Sequence, residues 1–345
     1  MKLVTVDPRT SPLWEQLVSA LPSSLFHSPP WLRSLSHTYD FCPRASVLMS
    51  NDHPVAGLPF VEVNDFIGAR IRVLPFSDFC DPLFTSADQW PLLIASLLAT
   101  GQRVDLRCMQ TDAARMDQHF NLVHEALWHG VSLQCDQDRL WGRLRSSARR
   151  NIRKARAAGM VVHQAETEQD LRAFHRLHVG VRKRKYSLLA QPYSFLRGLW
   201  TEFLEPGAGR LLFAALDGEI VAGSLFLDWK GATYYKLGAS NPEYLPLRPN
   251  DLILWTEIVG AASRGSHLLD LGLSEPSQEG LVRYKRKYAT SEKVVSFLRH
   301  EPNAVTASER EARRLLDKIT ELFVDDAVPD TVTERAGAML YRYFV

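Results

Sequence analysis

At 345 residues, with 46% hydrophobic and 23% charged side chains, the chain is too long for one small core and too apolar for a disordered or fibrous protein. The net charge of +2 hides an uneven spread: Trp141 to Ser187 carries thirteen Lys or Arg against three acids, so an anionic partner is expected there. Met1 to Thr10 lacks the apolar run of a signal peptide, no stretch approaches the roughly 20 apolar residues of a membrane helix, and Cys42, Cys80, Cys108 and Cys135 stand too far apart for a zinc or redox motif. A soluble, cytoplasmic protein of two units, each of about 150 residues, is the expectation.

Lys2 to Val6 reads as a strand, and Pro12 to Leu21 and Pro30 to Tyr39 as helices that open on proline, whose missing N–H costs nothing there. The period then changes to two. Ala45 to Met49 and Val55 to Val63 form a predicted hairpin about the turn cluster Asn51-Asp52-His53-Pro54, and Arg70 to Leu74 supplies a third strand. A helix over Trp90 to Ala99 and a strand over Arg103 to Arg107 complete the first half.

One long helix is predicted from about Leu140 to Ala158, with Trp141, Leu144, Ala148, Ile152 and Ala155 as its apolar stripe and arginines elsewhere. Beyond it come a strand at Val161 to Gln164 and helices at Glu168 to Arg184 and Tyr193 to Leu204. Leu211 to Leu216, Ile220 to Asp228 and Thr233 to Gly238 form a meander with turns at Asp217-Gly218 and Lys230-Gly231. A helix over Asp251 to Ser263 capped by Asn250, a strand over His267 to Leu271, a short helix over Gly280 to Tyr288 and a strand over Val294 to Leu298 follow. Ser308 to Phe323 reads as an amphipathic helix and Met339 to Val345 as a short strand or tail.

The halves echo one another. Val55-Ala56-Gly57-Leu58-Pro59-Phe60 and Val221-Ala222-Gly223-Ser224-Leu225-Phe226 share four of six residues and follow the hairpin turn of their own half. The element order in each half is that of the N-acetyltransferase (GNAT) unit, so the expected fold class is α/β with tandem duplicated GNAT-like domains. The expected division is a first domain at 1–139, a basic connecting helix at 140–158, a second domain at 159–300 and a C-terminal helix and tail at 301–345.

Several ordered segments resemble the FemAB-type aminoacyl- and acyltransferases. They are Phe26-His27-Ser28-Pro29-Pro30-Trp31-Leu32, Leu74-Pro75-Phe76-Ser77-Asp78-Phe79, the basic run Arg149 to Ala155, Leu247-Arg248-Pro249-Asn250, Leu269-Asp270-Leu271-Gly272 and Gly280 to Lys285. The resemblance implies transfer of an aminoacyl or acyl group onto an amine. The best-known members of this family take amino acids from aminoacyl-tRNA and attach them to a peptidoglycan precursor. It also implies that Tyr284 and Lys285 stand at the aromatic–lysine pair that helps hold the RNA-borne donor. The long coiled-coil arm of FemA-like members is missing, which removes one tRNA-contacting feature.

Acyl transfer needs a deprotonated amine, an oxyanion stabiliser and a proton for the leaving group. In a GNAT unit the donor lies where two strands splay, here between Thr233 to Gly238 and His267 to Gly272. Tyr235, Lys236, Ser240, Asp270 and Ser274 are therefore candidates, with Asp270 either a base or a carboxylate bonded to backbone. Lys236 faces either the cleft or an ion pair, because an unpaired buried ammonium is costly. Lys285 and Arg283 either neutralise phosphate or oxyanion or form a solvated basic face.

Asn250 and Arg248 sit where a CoA-using enzyme grips pyrophosphate at a helix start, but no glycine-rich turn is present there. Arg149 and Arg153 share a face suited to phosphates, and Arg182 to Lys185 adds a second basic cluster; either could equally be solvated surface. Ser77, Asp78 and Asp81 offer an acceptor pocket or a capped loop, and His175 with His178 lacks a third metal ligand. The leading co-substrate is an activated, phosphate-bearing acyl donor, aminoacyl-tRNA or acyl-CoA, with an amine-bearing acceptor such as a cell-envelope precursor. The alternatives are an acyl-CoA or acyl-carrier enzyme modifying an exopolysaccharide, lipid or amino sugar, and a silent binding module.

Overall fold

Prolines at the first turn open α1 (Pro12–Ala20) and α2 (Pro29–Tyr39), as their spacing predicts, and the Ser28 hydroxyl caps α2 by accepting the Trp31 N–H at 3.3 Å. The computed structural model describes every residue from Met1 to Val345. It divides into two units: Met1–Ala126 with Val294–Ile319 and Arg342–Val345, and Leu127–Lys293 with Thr320–Tyr341.

In the first unit, β1 (Lys2–Val6), β2 (Pro43–Ser50), β3 (His53–Asp65) and β4 (Gly68–Arg72) pair in sequence order, all antiparallel. The tight turn between β2 and β3 places Asn51 and Asp52 at positive φ, the reason those residue types mark it. A two-residue β5 (Leu83–Phe84) joins β3, α3 (Gln89–Leu98) follows, and β6 (Arg103–Cys108) runs parallel to β4.

The next element was not legible. β7 (Asn121–Ser132) is a twelve-residue strand, and its segment Leu127–Ser132 belongs to the second unit. The expected single helix is two: α4 (Gln137–Arg143) ends where Leu144 and Arg145 turn extended, and α5 (Ser146–Ala157) starts afresh. Both lie inside the second unit and do not connect domains. The apolar stripe survives the break, since Leu144, Ala148, Ile152 and Ala155 are buried in one cluster with Leu252, Ile258 and Leu269.

The second unit then repeats the first. β8 (Val161–Gln164), α6 (Glu168–Tyr186), α7 (Tyr193–Leu199), β9 (Gly209–Leu216), β10 (Glu219–Trp229), β11 (Ala232–Ser240), α8 (Pro249–Ser263) and β12 (Leu268–Ser274) give a sheet ordered β8-β9-β10-β11-β12. Its pairs are antiparallel except β11 with β12, the sense pattern of β1-β2-β3-β4-β6. The echoed hexapeptides occupy the same place in β3 and β10, and their shared glycine has one cause. A Cβ on Gly57 would meet Leu17 and Trp14 at 2.8 Å, and one on Gly223 would meet Phe174 at 2.8 Å. In each unit a helix side chain rests on bare backbone, so glycine persists in both copies.

Two edges are completed out of sequence order. β7 pairs antiparallel with β12 in the second unit, whereas Ser296–His300 of β13 (Ser291–His300) pairs antiparallel with β6 in the first. The units are therefore discontinuous in sequence and do not follow the cuts at 139, 158 and 300. Between β12 and β13 lies α9 (Glu279–Lys285), and α10 (Ala307–Phe323) follows β13. The expected strand or tail at the end is mostly helix, α11 (Asp330–Leu340) followed by one tight turn at Tyr341–Tyr343.

α11 redefines one basic cluster. Lys183, buried, donates to the Val328 carbonyl and lies 3.2 Å from Asp330, which also takes Arg184 at 2.8 Å, while Arg182 donates to the Leu189 carbonyl at 3.1 Å. Those three cations hold structure. His175 and His178, on α6, bond to the Gln191 carbonyl and side chain, and burial pushes His178 down to about 3, a neutral core histidine. An ion cluster spans β9, β10 and α8: Glu257, 2% exposed, lies 3.1 Å from Arg210 and 2.5 Å from Arg264, and Arg210 reaches Asp228 at 2.7 Å. No helix is long and apolar enough to cross a membrane.

Candidate active site

β11 and β12 pair only through Ala232–Leu268, Thr233–Leu269 and Tyr234–Asp270; past that point the strands part, as the GNAT order predicts. In the first unit the corresponding strands are treated differently. β4 stops at Arg72, and Cys80 from the following loop donates to the Arg107 carbonyl of β6 at 2.9 Å, so that unit's own chain occupies the equivalent opening. The splay of the second unit leads to a cavity of about 610 Å3 walled by the end of α6, the second half of β11, the start of α8 and α9.

Of the sequence-derived candidates, Tyr235, Ser240, Asn250, Tyr284 and Lys285 line this cavity. Ser240 donates to the Asn250 Oδ1 at 2.8 Å, tying β11 to the first turn of α8. Lys285 is 5% exposed and its ammonium donates to the Leu273 carbonyl at 2.5 Å, a cation fixed at the wall beside the strand separation. Tyr284 packs on Tyr288 with ring centroids 5.6 Å apart; burial, then Asp251 and Tyr235, hold its phenol well above the usual range. Burial also raises Tyr235, with Ser224 bonded to its hydroxyl. At neutral pH these phenols keep their protons and act as donors, not bases.

Tyr235 owes its place to Gly238. A Cβ there would lie 1.9 Å from the Tyr235 hydroxyl oxygen, so only glycine lets the ring lie flat along β11. Gly238→Ala is expected to displace Tyr235 and cut transfer at least tenfold while costing only about 1–3 kcal/mol of stability. Steady-state kinetics beside a denaturant titration checks this, and unchanged kinetics would remove Tyr235 from the site.

The remaining candidates fall elsewhere. Lys236 is the extra residue of a β-bulge in β11 and does not line the cavity. The Asp270 carboxylate, 3% exposed, accepts the Gly272 N–H at 2.6 Å where Gly272 takes φ +69°; this is the backbone-bonded alternative, not a cleft base. Ser274 is buried on β12 with a hydroxyl that has no hydrogen-bond partner, and Arg283 is exposed, 3.8 Å from Glu279. Arg149 donates to the Gly142 carbonyl at 3.0 Å, and Arg153 lies over Trp141 at 5.6 Å, so both turn back on α4. Ser77 accepts the Trp31 indole N–H at 3.0 Å and donates to the Pro75 carbonyl at 3.2 Å; with half-buried Asp78 it belongs to a capped loop of the first unit. Asp81 accepts the Gln110 N–H at 2.7 Å, which makes it part of the same loop scaffold.

The helix start also departs from expectation. Arg248, at φ +69° and exposed, is the N-cap of α8, with Pro249 at the first position, so Asn250 is already inside the helix. Asp251 in that first turn is 4% exposed and accepts from Tyr288 at 2.6 Å and Asn151 at 3.1 Å. Its carboxylate already answers the helix dipole where pyrophosphate would bind. Sequence reasoning missed Tyr186, Glu279 and Gly238 at the cavity and His129 near its Lys285, and it named Lys185 only within the basic cluster Arg182 to Lys185. His129 is fully buried on β7, 3.0 Å from Glu292, and burial with the Lys285 charge pushes its pKa down. No cluster of His, Cys, Asp or Glu is arranged to hold a metal.

Residues 142–286, the stretch that contains the splayed strands and the cavity, match the acetyltransferase (GNAT) domain family. That stretch of the chain is a GNAT-type domain. The chain is similar in structure to FemX, with a TM-score of 0.62 at 12% identity over 92% of this chain and 100% of that one. It is similar to L-PGS from Bacillus licheniformis, with a TM-score of 0.56 at 15% identity over 92% and 97% of the two chains. A tandem GNAT protein from the clavulanic acid biosynthesis pathway gives a TM-score of 0.53 at 11% identity over 88% and 99%. At such identities these likenesses speak for the fold, and no curated protein sequence matches the chain.

Proposed function

We propose that the second unit moves an aminoacyl group from an activated, phosphate-bearing ester onto an amine acceptor, with the reacting carbonyl held in the cavity between β11 and α9. The observation that carries this reading is Lys285, a cation fixed at the wall, beside the strand separation, of a cavity that Tyr186, Tyr235 and Tyr284 also line.

The acceptor amine must attack unprotonated, forming a C–N bond as the carbonyl oxygen becomes an oxyanion. Lys285 supplies the opposing charge, in a site where loss of water strengthens it. When the C–O bond breaks, the leaving oxygen takes a proton from Tyr235, kept protonated by burial, and the proton shed by the newly bonded nitrogen restores the phenol. The tyrosine rings offer stacking surfaces for a base or ribose, and Lys185 sits at the same cavity for phosphate. An ester-linked aminoacyl donor fits better than acyl-CoA, because Asp251 places negative charge at the helix start and no glycine-rich turn opens it. The resemblance to FemAB-type proteins is what supports a cell-envelope acceptor.

The test offers the full chain labelled aminoacyl-tRNA or labelled acetyl-CoA with a panel of amine acceptors, peptidoglycan precursors included. Transfer from the RNA ester is the expected result. Transfer from acetyl-CoA alone would move the reading to a CoA-dependent N-acyltransferase, and binding without turnover of either donor would leave a non-catalytic module.

A further inference from the structure

Three arginines of the first unit converge on one carboxylate. Asp105 on β6 takes Arg72 at 3.2 Å, Arg103 at 2.9 Å and Arg299 at 2.7 Å, while buried Arg70 is matched separately by Asp65 at 2.9 Å. The shortage of acceptors shows in the bonding: Arg72 Nε, Arg103 Nη2 and Arg313 Nε are all buried without a hydrogen-bond partner. Such groups cost free energy, and a native protein rarely keeps three together without something to accept from them. Burial together with the neighbouring arginines pushes Arg72 down to about 9 even with Asp105 in contact.

Beside this cluster lies a cavity of about 300 Å3 whose lining includes Gly68, Arg70, Arg103, Asn303, Glu309 and Arg313. The Arg103 side chain is 9% exposed, so its unpaired nitrogen belongs to the interior and not to solvent. Of the two acids at the cavity, Glu309 accepts the Thr306 N–H at 2.7 Å to cap α10, and Glu301 is exposed at the rim. Neither takes a hydrogen bond from Arg103 Nη2 or Arg313 Nε.

We propose that this cavity binds a phosphate-like dianion, free or as the phosphoryl group of a small soluble molecule, between the guanidinium groups of Arg103 and Arg313. The planar donor fork of arginine matches tetrahedral oxyanions, and a dianion supplies the acceptors that Asp105 cannot. This site lies wholly within the first unit and is independent of the transfer chemistry proposed for the second.

Thermal unfolding of the full chain is measured in inorganic phosphate against chloride of equal ionic strength. Saturating phosphate is expected to raise the midpoint by about 3 °C. Arg313→Gln, on the half-buried face of a helix, should keep the fold, remove that rise and weaken phosphate binding about tenfold by calorimetry. Arg313→Lys keeps the charge without the fork and should restore only part of the rise. No response of the unmodified protein to phosphate overturns the proposal, as does an equal response in both variants. Retention on phosphatidylglycerol vesicles with no response to free phosphate overturns the small-ligand reading.

Discussion

Lys285→Met is expected to leave a folded protein whose transfer rate falls about 10²–10³-fold, the usual loss when one preorganised oxyanion stabiliser is removed. Methionine matches the length of the buried stem and removes only the charge and its bond to Leu273. The loss should appear in kcat at saturating donor, because the oxyanion exists only in the transition state, with a smaller change in KM if the ammonium also touches phosphate. Single-turnover kinetics of the variant beside its thermal midpoint separates catalysis from folding. A variant that turns over normally would show that Lys285 only braces β12.

Glu257→Ala is expected to destabilise the second unit by about 3–5 kcal/mol. Glu257 lies between Arg210 and Arg264, and its loss leaves Arg210, with a side chain 8% exposed, leaning on Asp228 alone. Asp228 is already engaged by Thr233 at 2.7 Å. The damage comes from a stranded buried cation more than from a lost attraction, so Glu257→Gln, which keeps a carbonyl acceptor, should cost less. Urea denaturation of both variants gives the comparison. Equal losses would show that the carboxylate charge itself is what matters.

The parts of this fold that were legible are those written by local chemistry. Proline at helix starts, Asn51-Asp52 and Asp217-Gly218 at tight turns, and the period of two in β2, β3, β9 and β10 all depend on a few neighbouring residues. β7 escaped because its apolar residues do not alternate cleanly: Leu122 and Val123 are both exposed, while Trp128 and His129 are both buried. The break between α4 and α5 escaped because Leu144 continues the apolar spacing while its backbone leaves the helix.

The site divides the same way. Tyr284 and Lys285 are close in sequence and end at one wall, but whether Asp270 faced the cleft or its own backbone turned on the φ of Gly272, which residue type alone does not give. Arg182, Lys183 and Arg184 looked like an anion patch, but Leu189 accepts from the first, and Val328 and Asp330, well over a hundred residues away in sequence, take the other two. Gly238 had no signal beyond being glycine on a strand, and its purpose appears only beside the Tyr235 ring.

Because Leu127–Ser132 covers the flank of β12, a fragment begun at Leu140 would expose a raw row of amide and carbonyl groups next to the cavity. The half that carries the candidate cavity is thus not a cassette that can be cut at Leu140. Its integrity depends on its own first strand, and any shortened version must keep that ribbon from Leu127 or accept a sticky margin.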